Sequence, residues 1–541
     1  MKNLSFLFLL FIFVVSANSQ VVKQTFKVPS TYDRSSITVV VLDFPDGNHS
    51  SALREKIGRI VFADKYYNNN VEYLTLNSPF GRNDLTIKPA DLIKKAIEDK
   101  KMANEIVSKW YSRKSDGSMS LELIHERGMF NATDDASLLA KTTKRGNAEL
   151  EDYGNRLINR SYILVFDFQN LVTAPEAKIA GTRGWQSNVV SYLYKIDYST
   201  EVQAKVYDAW IYEDDTPQIK ADKRGKFEQI QFPISFVASS AASVTAQQMI
   251  NRSDFLKVLD PDKSEDQLLL QLVQKAYDEN LYSLDRKYED FRVKTTIDQT
   301  SPITAKIGKK EGLKTDYRFF AYEYVYNESA KSTSQKLRGV IRSTANIVDN
   351  RQVATGKSGT TQFYQTAGKQ LEVGYLLQQR NDIGLELSLG YELSNALGGD
   401  AGGVNLRFDY RLGRYAGIQS LFVYGELSLD GENTVWINSK EFGTIRYGLG
   451  FAKGIQLARN LELRPYVGFG IEQAGENDIE YKVLYGKGGA NAAYNLMHNI
   501  QVMGGISYYS FIGKAKNKAG IEGDWPKTGG LAALFGIRFG F

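Results

Sequence analysis

The last eleven residues, Leu531 to Phe541, alternate without a break and stop on an aromatic ring. Leu531, Ala533, Phe535, Ile537, Phe539 and Phe541 fall on one face of a strand, and Ala532, Leu534, Gly536, Arg538 and Gly540 on the other. A period of two with one apolar face and one small or charged face suits a strand held between lipid and a lumen. The segment also has the roughly 9–11 residues that a tilted membrane-crossing strand needs. The chain is therefore expected to close into a barrel. The alternative is an edge strand of a soluble sandwich.

The amino terminus points to the same compartment. Lys2 precedes an uncharged apolar run from Leu4 to Ala17, followed by Ala17-Asn18-Ser19-Gln20. This is the order of a secretory signal, expected over 1–19, with the mature chain starting near Gln20. The run is too short for a spanning helix. The chain has no cysteine, so it offers neither a lipid-attachment residue nor a disulfide framework. The terminal rings Phe539 and Phe541 resemble the signal that barrel-assembly machinery reads on outer-membrane proteins. That resemblance implies this machinery and outer-membrane lipid as partners. A formal net charge of +5 with mixed signs argues against nucleic-acid binding.

Walking back from Phe541, strands are expected over 500–511, 491–497, 461–473, 445–457, 418–429, 404–412 and 383–393, eight with the last. Tight connections at 413–417, 458–460 and 498–499 alternate with longer ones at 394–403, 430–443, 474–490 and 513–530. Outer-membrane barrels have short periplasmic turns and longer external loops, so both ends of the barrel are expected in the periplasm. The segment Leu371 to Gln378 is assigned upstream because single-chain bacterial barrels have even strand numbers. A ten-stranded barrel that also recruits Gln362 to Thr366 is the alternative.

Eight strands enclose only enough space for their own side chains. The lumen-facing set is expected to be Glu386, Glu392, Asp409, Glu426, Glu462 and Glu472 against Arg407, Arg411, Arg446, Arg464 and Arg538. Opposite charges in a narrow interior pair, because an unpaired buried charge is costly. The readings are a structural plug or a narrow polar conduit. Tyr375, Tyr391, Tyr410, Tyr424, Tyr447, Tyr466, Tyr508 and Tyr509 are expected to form aromatic girdles at the lipid boundary.

Upstream, an α+β periplasmic domain is expected over 20–290, a small β module of SH3-like type over 291–379, and the antiparallel transmembrane barrel over 380–541. The runs at 37–44, 162–168 and 189–196 read as strands. Pro89 to Tyr111 and Ser264 to Phe291 read as amphipathic helices. In the β module, strands are expected at 303–313, 317–325, 337–347, 353–355 and 368–375.

Gly339-Val-Ile-Arg, Val348-Asp-Asn-Arg-Gln-Val-Ala-Thr-Gly356 and the Gly368 to Tyr375 run resemble the C-terminal β domain of flagellar T-ring proteins. Ile37 to Phe44 with Tyr162 to Phe168 is similar to the periplasmic α/β domains of curli-secretion (CsgG-like) and TolB-like proteins. Lys294 to Phe319, together with the 348–356 and 363–368 runs, resembles large envelope proteins of Bacteroidota. The barrel is of OmpA-like size. These resemblances imply an envelope address and carry no catalytic residue across.

Histidine occurs only at His49, His125 and His498, none placed on a strand or external loop beside a nucleophile. There is no His-Glu-x-x-His, no phosphate-cradling loop and no cysteine-based metal pattern. Asp134-Asp135 and Asp214-Asp215 lack the spacing of a calcium loop and read as solvated charge. Neither cofactor nor catalytic or metal residue is expected. The expected function is a non-catalytic outer-membrane anchor whose periplasmic domain binds or tethers an envelope partner. The alternatives are a conduit, or a barrel enzyme acting on surface lipid or peptide through acids such as Asp430 and Glu432.

Overall fold

The computed structural model describes residues 34–541 apart from 45–46, 70, 72–73, 83–87, 131–133, 328–331, 355–356, 381, 396–400, 438–439, 477–478, 518, 524 and 526–527. The expected signal segment lies outside the described residues, as does Thr355 of the strand expected at 353–355. Three sheets follow one another along the chain.

The first is a mixed sheet of β1 (Ser36–Asp43), β2 (Tyr67–Asn68), β3 (Thr75–Asn77), β4 (Ser161–Thr173), β5 (Thr182–Ile196) and β6 (Ile234–Met249). β2, β3 and β4 run parallel to β1, while β5 and β6 add antiparallel beyond β4. All eight residues of β1 are buried, which explains its unbroken β-branched run: a central parallel strand has both faces covered. On one face Val40, Leu42, Ile163 and Val165 pack with Ile93, Ile106, Trp110 and Leu157. On the other, Val39, Val41, Leu164 and Phe166 pack with Leu53, Ile57 and the helix Glu265–Lys287 through Leu268, Leu272 and Leu284. A capping box between Ser264 and Gln267 starts that helix.

The single helix expected from Pro89 to Tyr111 is two, Pro89–Asp99 and Met102–Trp110. Lys101 between them takes a left-handed φ of 51°, and the break lets Met102, Ile106 and Trp110 turn onto the core. Apolar spacing continues across such a break, so periodicity alone does not reveal it.

The second sheet contains β7 (Lys294–Thr296), β8 (Gln299–Thr300), β9 (Ile303–Ala305), β10 (Arg318–Asn327), β11 (Ser332–Ser343), β12 (Thr361–Gly368) and β13 (Leu376–Gln379). Its order is β7-β13-β10-β11-β12-β9-β8, antiparallel throughout. The long strand expected at 303–313 is only β9 and a one-turn helix, Lys309–Glu311. No strand is assigned at 353–354, and the strand expected at 368–375 is replaced by β12 before it and β13 after it. Both β12 and β13 pair within this sheet, so neither enters the barrel.

The third sheet closes on itself as an eight-stranded antiparallel barrel. Its strands are β14 (Leu385–Ser394), β15 (Ala401–Arg411), β16 (Leu421–Ile437), β17 (Lys440–Lys453), β19 (Leu461–Glu476), β20 (Ile479–Asn495), β21 (Ile500–Asn517) and β23 (Gly529–Gly540). Short β18 (Ile455–Ala458) and β22 (Glu522–Gly523) flank β19 and β21. Pairing of β14 with β23, from Glu386↔Gly540 to Ser394↔Ala532, closes the ring. Both barrel ends lie at the rim that meets the second sheet, here the near rim.

β14, β15 and β23 have 10 to 12 residues, about one membrane crossing, whereas β16, β19, β20 and β21 have 16 to 18 and overshoot at the far rim. The long loops expected at 430–443 and 474–490 are thus mostly paired strand. The strand expected at 491–497 is the last third of β20.

Candidate functional site

Leu389, Phe408, Leu449, Val467, Phe469, Ile506 and Phe535 point outward from the barrel, Phe469 being 68% exposed. A closed wall covered with apolar side chains is stable against lipid and not against water. The barrel spans a membrane. Among the described residues no helix is long and apolar enough to do so.

All eleven charged residues expected in the lumen are buried inside the barrel, and Lys487 joins them. With Lys487 the described interior has as many bases as acids: six Arg or Lys against Glu386, Glu392, Asp409, Glu426, Glu462 and Glu472. The charges form two layers. In the near layer, Arg464 reaches Glu386 at 2.8 Å, Glu462 at 2.5 Å and Asp409 at 3.6 Å. Arg411 reaches Glu386 at 2.9 Å, and Arg538 reaches Glu462 at 3.5 Å. In the far layer, Arg446 binds Glu392 at 2.7 Å and also Glu472, while Lys487 binds Glu426 at 2.9 Å and Glu392 at 3.2 Å. Tyr509 donates its hydroxyl to Glu392 at 2.8 Å.

Between the layers Arg407 is held by Asp409 at 2.8 Å and stacks 3.7 Å from the Tyr424 ring centre and 4.6 Å from that of Tyr466. Tyr424, Tyr466 and Tyr509 therefore line the lumen instead of the lipid boundary. Each shares strand parity with a lumen residue, Tyr424 with Glu426 and Tyr466 with Arg464, so the pleat sends it inward. Tyr391, Tyr447 and Tyr508 do face outward, Tyr410 is half-buried beside Tyr415, and Tyr375 packs in the second sheet. Above the far layer, Ile437, Phe442, Tyr481, Phe511 and Trp525 form an apolar cap.

The near rim is closed by the second sheet. Asp316, in the turn before β10 and fully buried, accepts the Ser420 backbone N–H at 2.8 and 3.1 Å and the Tyr364 hydroxyl at 2.9 Å. Its carboxylate lies 3.5 Å from Arg411, which links it to the near layer. Asp316 has a φ of 66°, a conformation Asp tolerates through its short polar side chain. Gly413 permits the approach, since a Cβ there would stand 2.0 Å from the Asp316 carboxylate.

Around this contact Asp382, just before β14, binds Arg342 and Arg414, the latter at 2.9 Å, with Arg318 at 3.9 Å. Burial opposes ionisation of Asp382, but Arg342 and Arg318 prevail and hold its carboxyl well below the usual carboxylate range. Burial also lowers Arg318 to about 10, with Asp382 opposing the fall. At the opposite side of the rim the Gly368 N–H donates to the Asn460 side chain at 2.8 Å, and the Asn495 amide donates to the Thr366 carbonyl at 2.8 Å. His498 packs edge-on against Phe320, 5.1 Å between ring centres. A cavity of about 40 Å³, bordered by Arg342, Asp382, Glu386 and Arg538, is the space left between the module and the charged layer. It has room for a few water molecules.

The other residues singled out in the sequence lie apart from this site. His49 bonds Glu176 at 3.0 Å and meets Trp185 edge-on, and His125 is buried in its helix. Asp215 accepts Lys223 at 2.8 Å and the Tyr212 N–H at 2.9 Å, a turn role. Asp430 and Glu432 belong to β16, and their side chains lie outside the described residues. Among the described residues no group of three or more His, Asp or Glu is placed to hold a metal.

No protein-family model matches the chain, and no curated protein matches it. The solved structures it resembles include Neisserial surface protein A (NspA), with 16% identity and a TM-score of 0.22, over 29% of this chain and 96% of that one. Ail, the attachment invasion locus protein of Yersinia pestis, matches with 17% identity and a TM-score of 0.21, over 29% and 99%. A major outer membrane protein from Thermus thermophilus matches with 14% identity and a TM-score of 0.21, over 29% and 99%. At these scores the barrel stands on its own strand pairing.

Proposed function

We propose that this protein is an outer-membrane anchor that holds a large periplasmic domain in a fixed orientation for a binding partner in the envelope. The observation that carries the reading is the seat of the second sheet in the near rim, where Asp316 continues the lumen ion network through Arg411. A domain meant only to hang from a membrane needs a linker. Here the connection between β13 and β14 is short and its Asp382 is tied to three arginines, so barrel and module form one unit.

The connections support a periplasmic position for the first domain. Counted with the strand extensions of β16, β19, β20 and β21, the far-rim connections reach farther from the barrel than the near-rim ones, in keeping with the asymmetry that outer-membrane barrels have between exterior and periplasm. The filled lumen supports an anchor over a conduit, since its charges are paired across it and an apolar cap covers the far layer. The protein acts by binding and not by catalysis in this reading, with outer-membrane lipid around the barrel and barrel-assembly machinery engaging Phe539 and Phe541 during insertion.

Two measurements test it. In planar bilayers the purified protein should give no stepwise conductance; steps altered by Arg464→Ala would make it a conduit. A photocrosslinker at exposed positions of the first domain, such as Asp222, should form one defined adduct with an envelope protein in living cells. No adduct from any such position contradicts the tethering role.

A further inference from the structure

Arg538 is the one charged residue on the inward face of β23, set between Gly536 and Gly540, and the pleat sends it to the small cavity at the near rim. It is 1% exposed. Its Nε donates to the Ser388 hydroxyl at 3.3 Å and its Nη1 to the Gln501 side-chain oxygen at 3.0 Å. Its Nη2 is buried and has no hydrogen-bond acceptor among the described residues. Arg411 borders the same cavity and is in the same position: Nη2 donates to Glu386 at 2.9 Å, while Nε and Nη1 are buried without an acceptor among the described residues. Buried donors left in this way mark a place for a water or an ion.

The carboxylates around the cavity are already engaged. Asp382 gives one oxygen to Arg414 and the other to Arg342. Glu386 gives one to Arg411 and the other to Arg464, and Glu462 faces Arg464 and Arg538. Followed along its ion pairs, this network holds Asp316, Asp382, Glu386, Asp409 and Glu462. Its bases are Arg407, Arg411, Arg464 and Arg538 from the barrel strands with Arg318, Arg342 and Arg414 at the rim. Guanidinium is in excess, even with the carboxylate of Phe541 counted.

Excess positive charge in a desolvated interior is costly, as is a buried N–H without an acceptor. Water would accept the free N–H groups and leave the charge uncompensated. A small anion answers both. The cavity measures about 40 Å³, where a single water needs about 10–15 Å³, so a monatomic ion with a water beside it fits. The arginines that border it come from β11, β15 and β23, on different sides, which suits a spherical acceptor.

We propose that the cavity between the second sheet and the barrel binds a chloride ion, held by Arg411 and Arg538, which fastens the module to the near rim. The site does not depend on which side of the membrane the domain faces. For the full-length protein in detergent at fixed ionic strength, replacing gluconate by chloride should raise the unfolding temperature by several degrees, saturably, because the ion binds the folded state alone. Bromide should act alike, and Arg538→Gln should lose the rise. Crystals of the unmodified protein soaked in bromide should give an anomalous peak beside Arg538, a measurement that carries the test if Arg538→Gln does not fold. No peak in the cavity would mean water only and overturn the proposal, as would a rise that survives in Arg538→Gln or is matched by sulfate, which would be general screening. A peak without any chloride-dependent rise would mark an adventitious ion only and overturn it too.

Discussion

The carboxylate of Asp316, carried by the second sheet, lies 3.5 Å from the guanidinium of Arg411, carried by β15 inside the barrel. Arg411 in turn holds Glu386 at 2.9 Å, so a soluble module and a membrane-spanning lumen share one ion network. Asp316→Asn keeps the shape and tolerates the same backbone but removes the charge beside Arg411. It should cost about 1.5–3 kcal/mol, the range for a hydrogen bond to a charged group, read from urea midpoints in detergent. A change within a few tenths of a kcal/mol would mean the contact does not hold the module.

Gly413→Ala tests the same seat from the barrel side. Its Cβ would fall 2.0 Å from the Asp316 carboxylate, so Asp316 must leave the rim. Protease should then cut the junction near Asp382 faster than in the unmodified protein, with the barrel still resistant.

Among the described residues, Lys487 is the only lysine of the ion-paired lumen, and it bridges Glu392 and Glu426. Lys487→Met takes the ammonium from both acids, Glu392 keeping Arg446, and should destabilise the barrel by about 3–5 kcal/mol, whereas adding Glu426→Gln should recover part of the loss. Thermal unfolding in detergent separates the two cases. Equal loss in single and double variants would show that the two residues are not coupled.

Asp382 has a depressed pKa in the folded protein, so the stability it confers is fully present above the unfolded carboxyl value and is lost as pH falls through the folded one. The stability difference between the unmodified protein and Asp382→Asn should be constant from about pH 8 to 5 and shrink only below about pH 4. A difference that vanishes near neutral pH would assign the effect to another group.

The barrel was legible because lipid on one side and charge on the other write a period of two into every strand. The lumen acids and arginines follow from parity alone, and the same parity sends Tyr424 and Tyr466 inward, although tyrosine is common at a membrane boundary. Lys487 stayed hidden because Gly486, Gly488 and Gly489 around it read as loop. In β20, Gly489 lies against the backbone of the neighbouring strand, where a Cβ would meet the Ile506 carbonyl at 2.4 Å. In the first sheet, the buried runs of β1 and β4 announced themselves. Serine- and alanine-rich β6, an edge strand packed on one side, carries no such pattern. The seat of Asp316 and the cavity beside Arg538 depend on residues far apart in sequence meeting in three dimensions, which no local spacing encodes.

The chain contains no cysteine, so a single introduced thiol reports its own surroundings. Asp222 on the first domain and Lys516 at the far rim are both exposed. With a membrane-impermeant maleimide on intact cells, Lys516→Cys should label, and Asp222→Cys should label only after the outer membrane is opened. Labelling of Asp222→Cys on intact cells would put the domain outside the cell and contradict a periplasmic anchor.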